Sequence, residues 1–267
     1  MRKLPLPLLV ILFFTSCQKQ ISKETTQEEI AGVAKNKQAK VMLCHYDPVT
    51  KSSKTIEVPQ NAVAGHLAHG DLEGDCSNVL VTICEQDWTK RNLDVDHYQN
   101  GDPIPLVLDP VEWDGLTTGA YCYTDNATYG KLYNWYAISD PRGLTPEGWH
   151  VPSNIEWNNL ETCVGGVYIA GGSLKETGYS HWAYPNAGAT DLYGFTALPG
   201  GYRLTLGTWT GEFGGQGYSG AYWSSTENNN YLNVPGAIMR SMSYGDSYLR
   251  SDTWPKTDGF AIRCIRD

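Results

Sequence analysis

Turn-forming residues punctuate the larger, C-terminal part of this chain. From Val79 to Asp267 the apolar runs are short, and Gly, Asn, Asp or Pro interrupts them about every ten residues. Such spacing favours β-strands joined by long loops over a helical domain. The stretch has no clean internal repeat. The pattern therefore predicts one loop-rich, β-structured domain over residues 79–267.

One helix is predicted inside this region. Ser153 and Glu156 have the spacing of a capping box, in which each side chain binds a backbone N–H at the start of a helix. Trp157 and Leu160 follow at helical spacing, and Gly165 begins the stop signal. The sequence thus predicts a helix of about ten residues with one buried face.

The first 40 residues carry an export signal and a tether. Residues 1–3 (MRK) are positively charged, residues 4–14 form an apolar run too short to span a bilayer, and residues 15–17 (TSC) follow at once. This pattern indicates a signal peptide at 1–16, and the small residues before Cys17 resemble the lipobox of bacterial lipoproteins, whose cysteine becomes lipidated. An ordinary signal peptide with a coincidental cysteine is the alternative. Residues 17–40 are polar and predict a flexible tether.

Charge and the export signal together define the expected location and partners. The chain has a net charge of -9 and no basic stripe that could follow a phosphate backbone, so we do not expect nucleic acid to bind. A lipid on Cys17 would instead make the membrane a partner. We expect an exported lipoprotein of the cell envelope, at the outer membrane, facing either the periplasm or the surface.

Residues 41–78 form a small unit rich in cysteine and histidine. Residues 41–43 and 55–58 predict two strands joined by a polar turn, and the unit closes on the run HLAHGD at 66–71. Cys44 and Cys76 bracket it. The run resembles a segment of exported bacterial proteins to which we assign no function.

Two chemical interpretations compete for this unit. His66 and His69 stand three residues apart, and Cys44, His45, Asp71 and Cys76 lie nearby; all are of types that bind zinc, and the candidate ligands are His45, His66, His69 and Asp71. Against a metal site, the exported chain meets an oxidising compartment, where a Cys44–Cys76 disulfide would stabilise a unit too small for a large core. We favour the disulfide, with the histidines as local hydrogen-bonding groups and His69 and Asp71 shaping the turn at Gly70.

Seven motifs follow one another from residue 88 to the last residue. They are 88–95 (WTKRNLDV), 98–105 (YQNGDPIP), 130–137 (GKLYNWYA), 146–152 (PEGWHVP), 195–203 (FTALPGGYR), 222–227 (YWSSTE) and 259–267 (GFAIRCIRD). In this order they resemble the signatures of the Fibrobacter succinogenes major paralogous domain family, found mainly in exported and surface proteins of Bacteroidetes and Fibrobacteres. The resemblance covers nearly everything after Leu80 and implies a location, since the family has no established general activity.

Two of the motifs carry a second resemblance. Residues 150–157 and 259–263 are similar to the helix start and closing strand of formylglycine-generating enzymes, which have a variant of the C-type lectin fold. The implied class is α+β, with short twisted strands, one or two helices and long loops, preceded by the small disulfide-closed β unit. The enzymatic reaction needs copper-binding cysteines near the end of the domain, and residues 239–250 contain none. That reaction is therefore not expected.

The resemblance also implies a pairing of the remaining cysteines. In lectin-like domains the helix is stapled to a strand, which here would join Cys84 in the first strand to Cys163 at the end of the helix. Cys122 and Cys264 would then remain and could pair with each other.

Catalytic and cofactor sites are not predicted. His97, His150 and His181 stand in no nucleophile or metalloprotease motif. Residues 94–105 faintly resemble a calcium loop, but Pro105 stands where the bidentate Glu is required. Calcium elsewhere is possible, because lectin-like folds use it to fix long loops, but no cofactor and no ligands are assigned.

Aromatic residues in or beside Gly- and Asn-rich loops are the candidate ligand-binding residues. They are Trp182, Trp209, Tyr218, Tyr222 and Trp223. Aromatic side chains on rigid loops are platforms for sugar rings or protein partners. The alternative is that most of them fill the core; Trp182 and Trp209 are the two expected to be exposed.

We therefore expect a lipid-anchored envelope protein whose lectin-like domain binds a surface glycan or protein without catalysis. One alternative is an envelope enzyme, of the formylglycine-generating type or another, which would require a free reactive thiol or a bound metal. The other is a structural surface component, which would bind no ligand and would self-associate.

Overall fold

The computed structural model describes residues 39–124, 127–205, 208, 210–229 and 234–267. The predicted signal peptide, the lipidation site Cys17, nearly all of the predicted tether, and Trp209 lie outside these ranges. Within them, no helix is both long and apolar enough to span a bilayer. Residues 39–267 belong to one compact unit.

The N-terminal sheet is a three-stranded antiparallel one. It consists, in spatial order, of β2 (Ser52–Pro59), β1 (Lys40–Asp47) and β3 (Leu72–Glu73). The β1–β2 hairpin confirms the two predicted strands. The nine-residue helix α1 (Gln60–Ala68), which follows β2, was not predicted. It has no side-chain cap, and Val63 is its one buried residue. A short helix, α2 (Cys76–Val79), ends the segment and is capped by Asp75.

Three further sheets follow, and their named strands also pair antiparallel. The first is, in spatial order, β4 (Leu80–Ile83), β5 (Gln86–Thr89), β15 (Ile265–Arg266) and β8 (Trp149–His150). The second is β10 (Glu212–Gly214), β9 (Tyr202–Leu204), β14 (Gly259–Phe260), β7 (Leu132–Asn134) and β6 (Tyr121–Cys122). The third is β11 (Ser219–Glu227), β12 (Gly236–Ser243) and β13 (Arg250–Pro255). The described chain is therefore mostly β.

Short helices fill the connections. They are α3 (Pro110–Asp114), α4 (Trp135–Ile138), α5 (Asn154–Cys163), α6 (Ala170–Leu174) and a 3₁₀ turn at Ala127–Tyr129. Helix α5 confirms the predicted ten-residue helix. Its capping box is formed, because the Ser153 hydroxyl accepts from the Glu156 N–H and the Glu156 carboxylate accepts from the Ser153 N–H. Trp157 and Leu160 are its buried residues.

Two disulfides are present, as predicted. Cys44 is bonded to Cys76, and Cys84 is bonded to Cys163, which ties the end of α5 to the β4–β5 hairpin. Cys84 lies in the two-residue hairpin turn, where its φ is 53°, and not in the strand where it was predicted.

The predicted third pairing is wrong. Cys122 and Cys264 are free and buried. They belong to different cores, because Cys122 packs with the cluster that contains Trp157 and Cys264 with the cluster that contains Phe260. Both side chains are buried, so both behave as small core residues.

Three buried arginines donate hydrogen bonds to backbone carbonyl and side-chain oxygens. Arg203 donates to the carbonyls of Val107, Leu108 and Gly211, and its guanidinium lies over the Trp113 ring. Arg263 and Arg240 are buried in the same way. A fold with short strands leaves many carbonyls without a strand partner, and the five donors of a guanidinium meet this need. Two of these arginines, Arg203 and Arg263, end or lie within the motifs identified above.

The carboxyl group of Asp258 is buried at the turn before β14. Its Oδ1 accepts hydrogen bonds from the Thr205 N–H (2.7 Å) and hydroxyl (2.8 Å), whereas no described group donates to Oδ2. Burial raises the pKa of Asp258 to about 7, and the charge of Asp114 adds to the rise while the Thr205 bonds oppose it. The site therefore stabilises the protonated, neutral carboxyl group of Asp258 relative to the carboxylate.

We expect Asp258 to make the chain less stable as the pH rises from about 4 to about 7. Over this range the folded chain keeps the proton that an unfolded Asp, with its pKa of 3.8, has lost, so stability falls with rising pH. Above pH 7 the free energy of unfolding is lower than at pH 4 by an amount of order 4 kcal/mol, at about 1.4 kcal/mol for each pKa unit by which folding raises the pKa of Asp258. Asp258→Asn should remove most of this slope and stabilise the chain at pH 8, as measured by urea unfolding. Glu147→Gln, at an exposed site, is the control, and an unchanged profile in Asp258→Asn would contradict the assignment.

Candidate functional site

The structure corrects the predicted ligand-binding aromatics. Trp182, Tyr222 and Trp223 are buried, so none of them contacts a ligand directly. The Trp223 indole donates to the Tyr133 carbonyl at 2.9 Å and packs inside the second core. Tyr218 is exposed, as a ligand-binding residue must be. Core filling, the alternative weighed for these residues, applies to the three buried ones.

Six tyrosines, Tyr218 among them, provide an exposed aromatic surface, which we call the tyrosine surface. It is made of Tyr168, Tyr179, Tyr184, Tyr218, Tyr244 and Tyr248, which are exposed apart from the half-buried Tyr244. The rings stand in three pairs with centroids 5.0 to 5.7 Å apart, Tyr168 with Tyr248, Tyr179 with Tyr184, and Tyr218 with Tyr244. Exposed aromatic rings in such number are unusual away from a binding surface.

Backbone hydrogen bonds join the loops that carry these pairs. The N–H of Ala183 donates to Gly217 at 2.8 Å, the N–H of Ala187 to Tyr244 at 2.8 Å, and the N–H of Leu249 to Val167 at 2.9 Å. The loops near residues 167, 179–187, 217 and 244–249 therefore support one another. A ligand bound to the tyrosine surface would meet side chains that are already positioned.

Two buried side chains, Lys175 and Trp182, form hydrogen bonds with backbone carbonyls and hold these loops in place. The Lys175 ammonium donates to the carbonyls of Ala187 (3.0 Å), Ser243 (2.7 Å) and Asp246 (2.7 Å). Burial lowers the pKa of Lys175 to about 8, and the charge of Asp246 opposes this effect. Trp182 serves the same purpose, since its indole donates to the Ala197 carbonyl at 2.9 Å. The residue predicted to bind a ligand instead holds in place the loop that exposes its neighbours.

A second cluster lies in the N-terminal unit, where the structure brings together the predicted His45, His66, His69 and Asp71. The Asp71 side chain is fully buried, and its Oδ2 lies 2.8 Å from His45 Nδ1 and 2.7 Å from His66 Nδ1. His69 Nδ1 lies 3.9 Å from Asp71 Oδ1. The three rings are 5.2 to 5.9 Å apart between centroids.

The backbone around this cluster is fixed by its neighbours. Gly70 has a φ of +88°, and a Cβ there would lie 2.0 Å from the Glu147 carbonyl oxygen, so only glycine fits. The Trp149 indole donates to the Gly70 carbonyl at 2.7 Å. Burial opposes ionisation of Asp71, but hydrogen bonds from His45, the Tyr46 N–H and His66 outweigh it and lower the pKa of Asp71. The carboxylate is therefore charged in the folded chain.

The remaining histidines and thiols form no nucleophilic arrangement among the described residues. His97, His150 and His181 each pair with a nearby carboxylate, and His150 bridges Glu156 and Asp267. Burial raises the pKa of both free thiols, Cys122 and Cys264, to about 12. Neither thiol is a thiolate at neutral pH, which is the form a thiol-dependent enzyme needs.

The carboxylates of the faint calcium loop point to other partners. Asp94 binds Lys131 at 2.6 Å, and Asp102 binds Arg142 at 3.2 Å. Among the described residues, His45, His66 and Asp71 are the one group of three or more His, Cys, Asp or Glu side chains close enough to share a metal ion. Calcium binding elsewhere stays a prediction.

Comparison with known proteins identifies the larger part of the chain. The model of the Fibrobacter succinogenes major domain matches residues 81–266. The match covers the domain that the seven motifs defined and leaves the N-terminal sheet with its histidine cluster outside. No curated protein and no solved structure matches the chain.

Proposed function

This chain belongs to the Fibrobacter succinogenes major domain family, and we propose that its domain binds a surface glycan or protein, without catalysis, through the tyrosine surface. The observation that carries this proposal is the set of three exposed tyrosine pairs on loops joined by hydrogen bonds. Tyrosine offers a flat apolar ring with a hydroxyl that can donate and accept, and it loses little conformational entropy on binding. A net charge of -9 favours neutral or basic ligands.

The proposal includes a lipid anchor and a lectin-like fold. The sequence of residues 1–17 supports export and lipidation at Cys17, which would hold the domain at the cell envelope, at the outer membrane. Two features support a variant of the lectin-like fold. Helix α5 is stapled to the β4–β5 hairpin by Cys84–Cys163, and the last strand β15 pairs with β5. Enzymatic alternatives gain no support from the buried, protonated thiols.

Glycan arrays and envelope-protein arrays, probed with residues 39–267, test the proposal. We expect binding to members of one array, and Tyr184→Ala should weaken it at least about tenfold, as for a central aromatic contact. Because Tyr184 is 78% exposed, its truncation should change stability by less than about 0.5 kcal/mol. The loss of binding would therefore report contact with the ligand.

Tyr123→Ala is the matched control, because Tyr123 is exposed but does not belong to the tyrosine surface. It should bind as the parent does. If both substitutions weakened ligand binding equally, the result would contradict binding at the tyrosine surface. No binding on either array, together with self-association in solution, would favour a structural surface component instead.

A further inference from the structure

The three histidines of the N-terminal unit converge on one buried carboxylate. His45 lies on β1, His66 in the last turn of α1 and His69 at its C-cap, and all three direct Nδ1 towards Asp71. The antiparallel register of β1 with β3 pairs Cys44 with Leu72, which places His45 beside Asp71. Residues 26 positions apart in the chain therefore meet at one point.

Hydrogen bonding alone accounts for only part of this arrangement. Asp71 Oδ2 accepts from His45 and His66, while Oδ1 accepts from the Tyr46 N–H at 3.1 Å. His69 Nδ1, at 3.9 Å, is beyond hydrogen-bond distance and yet faces the same carboxylate. A divalent cation would use all three imidazoles and the carboxylate together.

From this geometry we propose that His45, His66, His69 and Asp71 bind one Zn²⁺ ion through three imidazole nitrogens and one carboxylate oxygen. Ligand atoms about 2.0 to 2.2 Å from a tetrahedral zinc lie roughly 3.3 Å apart. His66 Nδ1 and His45 Nδ1 lie 2.7 and 2.8 Å from Asp71 Oδ2, and these three ligand atoms are close enough to share the ion. His69 Nδ1 lies 3.9 Å from Oδ1, so the His69 ring has to turn towards the other three ligand atoms to become the fourth ligand. His69 is half exposed and gives the ion a path from solvent.

The site does not compete with the disulfide. A Cys44–Cys76 disulfide and a zinc site were alternatives at the level of the sequence, but in the structure the disulfide is present and neither sulfur belongs to the histidine cluster. The bond joins β1 to the start of α2, close to the strand that carries His45. Because the backbone is fixed by the disulfide and by Gly70, zinc would bind a preorganised site. The N-terminal unit is then a metal module distinct from the tyrosine surface.

Calorimetric titration of the full chain, purified in detergent and stripped of metal with EDTA, tests this assignment with zinc chloride. We expect one Zn²⁺ per chain and a rise in the thermal midpoint. His66→Gln should weaken zinc binding at least about 100-fold, and Asp71→Asn should also weaken it. His97→Gln, which removes an exposed histidine paired with Asp96, should bind as the parent does.

X-ray absorption on the zinc-loaded parent gives a second, independent result that needs no variant to fold. We expect a shell of nitrogen and oxygen near 2.0 Å and no sulfur near 2.3 Å. The proposal is overturned if the folded parent takes up no stoichiometric zinc, if sulfur ligates the ion, or if His66→Gln binds as tightly as the parent.

Discussion

Arg263→Met is expected to destabilise the domain by about 4 kcal/mol or more. The guanidinium donates to the carbonyls of Thr89 (2.9 Å), Phe195 (2.8 Å) and Thr196 (2.9 Å), and to Asn92 Oδ1 at 2.7 Å. Each buried acceptor left without a partner costs about 1 to 3 kcal/mol. The loss would separate the loop at 195–196 from the end of β5, and both belong to the family domain.

Urea unfolding followed by far-UV circular dichroism measures this effect. Arg91→Met is the matched control, because Arg91 is exposed, and it should stay within about 0.5 kcal/mol of the parent. Arg263→Lys should also destabilise, because one ammonium cannot reproduce a fork of donors aimed at three carbonyls. A free energy of unfolding within 1 kcal/mol of the parent for Arg263→Met would show that these bonds do not hold the fold together.

Lys175→Met is expected to loosen the loops of the tyrosine surface and to cost about 3 kcal/mol. Three partly buried carbonyls would lose the donor that they share, and removing one partner of such a bond is destabilising. The gain from removing a desolvated ammonium offsets part of this cost, as the lowered pKa of Lys175 indicates. Ligand binding should weaken because the tyrosines would no longer be held in place.

Hydrogen exchange at single amides separates this local effect from global unfolding. The N–H groups of Ala187 and Tyr244 join the loops, and their exchange should be faster in Lys175→Met than in the parent. The exchange of the Ile265 N–H, in the terminal strand, should be accelerated less. Lys54→Met, at an exposed site on β2, should change neither. Uniform acceleration at all amides would mean that Lys175 stabilises the whole fold and not these loops in particular.

Local signals made helix α5 predictable and helix α1 not. The capping box of Ser153 and Glu156 and the spacing of Trp157 and Leu160 all lie within the helix itself. Helix α1 has no side-chain cap and one buried residue, Val63. Its position depends on contacts made after the chain folds back, which a sequence pattern does not contain.

The exposed aromatics were missed for a similar reason. Trp182 and Tyr184 stand two residues apart in one loop, yet the first is buried and the second exposed. The path of the loop decides between them, and that path is set by bonds to distant carbonyls such as Ala197. Of the predicted residues in the described ranges, Tyr218 alone belongs to the tyrosine surface. A weak signal was present in Gly178 and Pro185, which flank Tyr179 and Tyr184.

The histidine cluster was half predictable. All four side chains were named as candidates, because His66, His69 and Asp71 stand close together along the sequence and His45 lies beside Cys44. The contribution of His45 depends on the β1–β3 register, which the sequence did not reveal. Cysteine pairing divides in the same way, because Cys122 and Cys264 could be recognised as separate only once their two cores were known.

Hydroxyl-radical footprinting of residues 39–267, with and without the ligand that the arrays identify, tests the tyrosine surface most directly. We predict that Tyr179, Tyr184 and Tyr248 are oxidised more slowly in the complex, while Tyr123 reacts at the same rate in both samples. Protection of Tyr123, or of residues around the histidine cluster, with no change at Tyr179, Tyr184 and Tyr248, would contradict the proposal that these tyrosines form the binding surface.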